Sequence, residues 1–471
     1  MFSVPDECKP VPLPSRRRIH PIDFFVPKCT FFTCIRSRVP VHFLKDTHSL
    51  KEMNPMLAKT PPMGWNSWDC YGAAVTEDIV RKNAEYMAQH LKQYGWEYIV
   101  VDIQWYQPSA ASHEYVPFAE LCMDEFGRLQ PAENRFPSSA GGKGFKPLAD
   151  YVHSLGLKFG IHIMRGLPRM AAHRHLPIKG ASIRCDEAAL YNSICMWNPD
   201  MYGLNCKDVN GVNPGQAYYD SIFQMYAEWG VDFVKCDDIA REYPRCEKEI
   251  ETISRACRTC GRDIVLSLSP GAAPLEKAEH LKTYANMWRV SDDFWDEWHQ
   301  LLAAFNYAEQ WCIHSGPGHW PDADMLPIGA LRQDYSPDDW SHFTVPELYT
   351  MMSLWCMMRS PLMIGGELTK MDDTCLKLLT NAEVLSIEKT TAGAHPLYRN
   401  EEECVWVTYD PAGKAVYAAL FNLSDEERTV SLSRDVLGME FQSAKELWSG
   451  TCANEVASLL PPHGASVWRL E

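Results

Sequence analysis

The chain has no uninterrupted apolar run approaching the ~18 residues needed to cross a bilayer, so no membrane partner is expected. It is also short of positive charge. Its 45 Lys and Arg against 61 Asp and Glu give a net charge of -16 at pH 7. That balance repels nucleic-acid phosphates and anionic lipid heads, and only Ser15-Arg16-Arg17-Arg18 forms a basic cluster. No glycine-rich phosphate fingerprint follows any predicted strand, because Gly141, Gly142 and Gly144 lack the spacing. Metal-binding patterns are equally thin. Cys257-Arg-Thr-Cys260 has no second pair at zinc-finger spacing, and His173-Arg-His175 falls in a long loop without matching strand-end ligands. Neither a metal nor an organic cofactor is therefore expected. The 17 cysteines are odd in number and scattered, which reads as reduced thiols in a cytoplasmic chain.

What is present is ample material for a core, with 46% of the 471 residues hydrophobic. Residues 1–52 carry Pro, Arg and aromatic residues without helical or strand periodicity, and read as a poorly ordered N-terminal extension. Their arginine cluster and Phe24-Phe25-Val26 suggest an export signal only faintly, because Asp23, Pro27 and Lys28 interrupt the apolar region such a signal needs. Translation is expected to start at Met53.

From there a βα rhythm begins. Thr76 is a plausible N-cap, followed by Val80, Ala84, Met87 and Leu91 at helical spacing and by Gly95 as a stop. Next comes Tyr98-Ile-Val-Val-Asp102, an apolar run ending in one polar residue, as expected of a strand buried on both faces in a parallel sheet. The pattern recurs at Leu157–His162, Asp232–Asp237, Asp263–Ser269, Met287–Ser291 and Pro361–Gly365. A first strand at Met63–Trp65 and a seventh near Cys312–His314 complete eight. Residues 53–384 are thus predicted to form a (β/α)8 TIM barrel, with an inserted loop between His162 and Asp237. After residue 385 the texture changes to short alternating runs such as Cys404–Tyr409 and Val416–Phe421, a C-terminal antiparallel β-sandwich over 385–471.

In such barrels the working residues stand at the C-terminal ends of the strands. Asp237 ends the fourth run and Asp293 follows the sixth. Two βα units apart, they share one mouth, and paired carboxylates there are the chemistry of glycoside hydrolysis. Lys235, two residues before Asp237, points to the same inner face. Its charge would hold Asp237 ionised, although the two could equally form a structural ion pair.

Four ordered motifs carry a resemblance: Thr60-Pro-Pro-Met-Gly-Trp-Asn-Ser-Trp68, Lys235-Cys-Asp237-Asp238, Trp288-Arg289-Val-Ser-Asp292-Asp293 and Gly316-Pro-Gly-His-Trp-Pro-Asp322-Ala-Asp324-Met325-Leu326. Together they resemble glycoside hydrolase family 27, the α-galactosidase family, from about Met56 to the C-terminus. The resemblance implies a retaining mechanism with Asp237 as nucleophile and Asp293, rather than Asp292, as acid/base. It implies that Lys235, Arg289, Asp102 and Asp324 contact sugar hydroxyls while Trp65 packs on the sugar's apolar face. The partner is then a carbohydrate, and the oligomeric state stays open, a homo-oligomer included.

Three positions depart from the family. The second of two successive aspartates at the end of the second strand is here Ile103. An isoleucine beside a sugar hydroxyl leaves that group unpaired at a cost of about 1–3 kcal/mol, so it suits a sugar lacking the hydroxymethyl group. β-L-arabinopyranose has the ring stereochemistry of α-D-galactose without carbon 6, and some members with isoleucine there prefer it. His162 replaces the usual tyrosine. Ser269 stands where some animal members have glutamate, which argues against N-acetylgalactosamine. The competing readings are an ordinary α-galactosidase in which Ile103 only packs, a metal-dependent barrel hydrolase, and a non-catalytic sugar-binding barrel.

Overall fold

The structure, a computed structural model, describes residues 57–471 except 209, 210 and 244. The extension assigned to residues 1–52 lies outside the described residues. Eight parallel strands build the catalytic domain: β1 Met63–Asn66, β2 Tyr98–Val101, β3 Lys158–Met164, β4 Phe233–Asp237, β5 Val265–Leu268, β6 Met287–Arg289, β7 Trp320–Asp322 and β8 Leu362–Ile364. Their spatial order is β7-β6-β5-β4-β3-β2-β1-β8. A parallel bridge between Leu326, just past β7, and Ile364 of β8 links the two edges. This is the TIM-type barrel read from the sequence.

Side-chain parity decides what enters its interior. Tyr98, Val100, Phe233, Val265, Met287, Trp320 and Met363 pack into one apolar cluster. The intervening residues Ile99, Val101, Val234, Leu266 and Trp288 join the larger core shared with the helices. The polar strand-end residues continue the inner rows. Register sets His162 beside Lys235, Lys235 beside Ser267, and Arg289 beside Asp322, so a polar layer caps the apolar one.

The helix after β1 runs Glu77–Tyr86 and continues through Met87–Leu91 to Gly95 at φ 103°. Val80, Ala84, Met87 and Leu91 are fully buried, as their spacing predicts. The seventh strand is a correction. Cys312–His314 is a short 3-10 turn extending the helix Trp298–Trp311, and Ile313 is 75% exposed. A three-residue run at a helix end is too short to tell from a strand, whereas the real strand at Trp320–Asp322 is three residues long and contains proline. The insertion between β3 and β4 carries a small sheet of Leu167–Pro168, Ala189–Ile194 and Met201–Leu204.

The last barrel helix spans Ala382–Thr390 and the antiparallel sheet begins at Ala392, so the boundary expected at 384/385 falls inside that helix. The C-terminal domain sets a six-stranded sheet against the pair Arg428–Leu432 and Val456–Leu460. Val405, Leu420, Val430, Leu432 and Trp468 share its core. It docks on the barrel helices through His463, which pairs with Glu347 at 2.7 Å and stacks on Trp298.

Candidate active site

The polar layer opens into a cavity of about 530 Å³ at the strand C-termini, lined among others by Asp102, Ile103, Lys235, Asp237, Arg289, Asp293 and Asp324. This size suits a sugar-sized ligand. Seven of the nine residues proposed from sequence thus meet in one place.

Asp237 ends β4 with its Oδ1 accepting from the Asp238 amide at 2.9 Å and its Oδ2 3.1 Å from His162 Nε2. Burial would raise its pKa, but the His162 hydrogen bond and the charges of Lys235 and His162 outweigh it and hold the carboxyl far below the usual range. Lys235 acts on Asp237 at a distance, because its Nζ bonds Asp102 Oδ2 at 2.9 Å. Asp102 also accepts from Asn66 and from the Ile103 amide. His162 itself is fully buried and outside the lining, so it orients the carboxylate.

Arg289 Nη2 lies 2.6 Å from Asp324 and 3.3 Å from Asp293. Asp293 has a side chain 62% exposed, which suits a group that must exchange protons with water. Its neighbour Asp292 is engaged by Arg241 at 2.9 Å, an ion pair at the rim. Asp324 also accepts from the Phe294 amide at 2.7 Å. Burial, reinforced by Asp293 and Asp322 and opposed by Arg289, leaves it pushed up to about 7.

The folded chain therefore keeps on Asp324 a proton that the unfolded chain releases near the ordinary carboxylate value. Stability from this group is full below that value and falls as pH rises toward neutrality. Asp324→Asn is expected to flatten the decline of the thermal midpoint between about pH 4 and pH 7. A slope unchanged from wild type would show that Asp324 ionises normally.

Trp65 is a correction. It sits between the inward-facing Gly64 and Asn66, so it points to the helix layer, is 0% exposed, and donates its indole N–H to Gly366 O at 2.9 Å. No sugar reaches it. The aromatic at the cavity is Trp68 in the same motif, stacked on Tyr115 with centroids 5.5 Å apart, and Tyr115 in turn meets Trp197. Trp68 was findable as the first aromatic past the strand end. Tyr115 and Trp197 carry no local signal, since they come from loops folded over the mouth.

His173 and His175 take separate partners, Tyr202 and Asp186. Among the described residues, one set of potential metal ligands is grouped, Glu247, Glu251 and His280. Lys277, Lys248 and Tyr243 occupy these groups, and none of the three lines the cavity.

Residues 60–175 and 197–390 match the family described as alpha galactosidase A, and residues 402–470 match the alpha galactosidase C-terminal beta sandwich domain. The chain is 53% identical to a GH27 β-L-arabinopyranosidase from Geobacillus stearothermophilus, whose crystal structure aligns over 88% of this chain and 97% of that one with a TM-score of 0.84. A single-substitution variant of that enzyme has been seen in complex with arabinose. A structure from Bacillus halodurans C-125, provisionally named an α-N-acetylgalactosaminidase, is 47% identical over 89% of this chain and 99% of its own, with a TM-score of 0.79. Alpha-galactosidase A of Cellvibrio japonicus is 27% identical over 445 residues, 88% of this chain and 92% of its own length.

Proposed function

Because the chain belongs to glycoside hydrolase family 27, the α-galactosidase family, and is a glycosyl hydrolase, we propose that it is a retaining exo-glycosidase that prefers β-L-arabinopyranosides over α-D-galactosides. Asp237, ionised and steadied by His162, attacks the anomeric carbon. Asp293 gives its proton to the departing glycosidic oxygen, leaving a covalent glycosyl-enzyme of inverted configuration. Water, deprotonated by Asp293, then attacks the same carbon, frees Asp237 and inverts the centre again. Lys235 and Asp102, joined at 2.9 Å, offer a donor and an acceptor to sugar hydroxyls, and Arg289 with Asp324 does the same nearer the acid/base.

The observation that carries the preference is Ile103. It lines the cavity next to Asp102 and is 1% exposed, so the wall there is apolar where a hydroxymethyl group would need a hydrogen bond. The likeness to an arabinopyranosidase at 53% identity supports the same reading. An N-acetylgalactosaminide reading draws on the Bacillus halodurans likeness but finds no favouring contact at Ser269, a buried residue outside the lining.

Initial rates on the p-nitrophenyl β-L-arabinopyranoside, α-D-galactopyranoside and N-acetyl-α-D-galactosaminide, with wild type and Ile103→Asp, test this. Arabinopyranoside should be the fastest in wild type. The substitution should move the arabinoside-to-galactoside ratio of kcat/KM about 10- to 100-fold toward galactoside, as pairing one hydroxyl predicts. A wild type already faster on galactoside removes the preference and leaves Ile103 as wall packing.

A further inference from the structure

One carboxylate oxygen at this cavity has no hydrogen-bond partner among the described residues. Asp69 follows Trp68 in the short helix Trp68–Tyr71 beyond β1, lines the cavity, and is 5% exposed. Its Oδ2 is turned against the residue after β8, so closely that a Cβ on Gly365 would fall 1.9 Å from it. No hydrogen bond reaches that oxygen among the described residues. The neighbouring carboxylates are all engaged: Asp102 by Lys235 and Asn66, Asp237 by His162, Asp324 by Arg289 and the Phe294 amide. The cation that could neutralise Asp69, Lys235, is already committed to Asp102.

Burial first, then the charge of Asp324, raise the proton affinity of Asp69 well above that of a free carboxyl, with Lys235 opposing. A carboxyl that holds its proton has one O–H to donate and lone pairs to accept. A buried polar atom without a partner costs about 1–3 kcal/mol and is rare in native interiors. Asp69 lines the cavity, so a sugar bound there can supply its carboxyl with a partner.

We infer that Asp69 is a further sugar-binding residue of this site, its carboxyl hydrogen-bonding a ring hydroxyl of the bound pyranose. This rests on the glycosidase reading above. Asp69 holds the ring through a carboxyl that pairs with no cation among the described residues, in contrast to the charged pairs Lys235–Asp102 and Arg289–Asp324.

The full chain as wild type, Asp69→Ala and Asp69→Asn provides the test, through kcat/KM, competitive inhibition by free L-arabinose and D-galactose, and the thermal midpoint. Asp69→Ala should weaken inhibition by the pyranose that wild type binds better by about tenfold, and lower kcat/KM at least as much, as loss of one buried hydrogen bond predicts. Its midpoint should equal or exceed that of wild type, because an unpaired buried carboxyl has been removed. Asp69→Asn keeps a donor and an acceptor in the same shape and should stay within a few-fold of wild type in both binding and rate. Unchanged inhibition in Asp69→Ala overturns the inference, as does a lowered midpoint with Asp69→Asn equally impaired, which marks a structural role. A wild type that neither hydrolyses nor binds either pyranose overturns the glycosidase reading itself, and Asp69 with it.

Discussion

Asp237→Ala is expected to lower kcat on every glycoside by about 10⁴-fold or more, the scale on which removal of a covalent nucleophile acts. The reason is positional. Asp237 is held by two hydrogen bonds and by the field of Lys235 in the ionised state that attack demands, whereas Asp102, Asp292, Asp293 and Asp324 each pair directly with a Lys or Arg. Azide can enter the space left by the side chain. With an activated aryl leaving group it should restore turnover and yield the glycosyl azide of inverted configuration, because it attacks from the face that Asp237 occupied; with poor leaving groups rescue should be slight. Product analysis by NMR reads the configuration. An alanine variant with full activity, or an azide product of retained configuration, would sink the nucleophile assignment. The same variant should also lose less stability than wild type as pH falls below the ordinary carboxylate range. Asp237 has a depressed folded-state pKa, so its stabilisation is present above that range and lost in acid.

Asp293→Ala should separate substrates by leaving group. Loss of a general acid costs about 10²–10⁴-fold where the departing oxygen needs a proton, as in an alkyl or sugar aglycone. It costs little in the first step for a dinitrophenyl glycoside, whose phenolate leaves unassisted. With that substrate the glycosyl-enzyme on Asp237 should accumulate, since the base that activates water is also gone. A burst of phenolate followed by slow turnover is the expected trace, and azide should accelerate the slow phase with a product of retained configuration. Asp292→Ala is the control. Asp292 is tied to Arg241 at the rim, so its loss should lower rates on all leaving groups alike. An Asp293→Ala variant impaired equally across leaving groups would refute the acid/base role.

Much of this site was legible from the chain because barrel chemistry sits at strand ends. The runs ending at Asp102, His162 and Asp237 are apolar enough to mark their strands, and a two-residue step places Lys235 on the same row as Asp237. The errors came where that logic thins. At Cys312–His314 three residues are too few to tell a strand from the tail of a helix, and exposure of Ile313 decided it. At Trp65 the motif pointed to an aromatic, but one step of parity turns that ring away from the cavity, and the motif's aromatic in the lining is Trp68.

Local sequence therefore determined the fold class, the order of the carboxylates along the strand ends and the apolar character of the wall at Ile103, because these depend on periodicity and residue type along one strand at a time. Tertiary structure alone decided the pairings: Lys235 with Asp102 rather than Asp237, His162 on Asp237, Arg289 bridging Asp324 and Asp293, Tyr115 and Trp197 over the mouth, and Asp69 Oδ2 without a partner among the described residues, against Gly365. Hydrogen bonds and desolvation act over a few ångströms, and residues that close are brought together from strands and loops tens to hundreds of positions apart, a distance that no spacing rule along the chain can express.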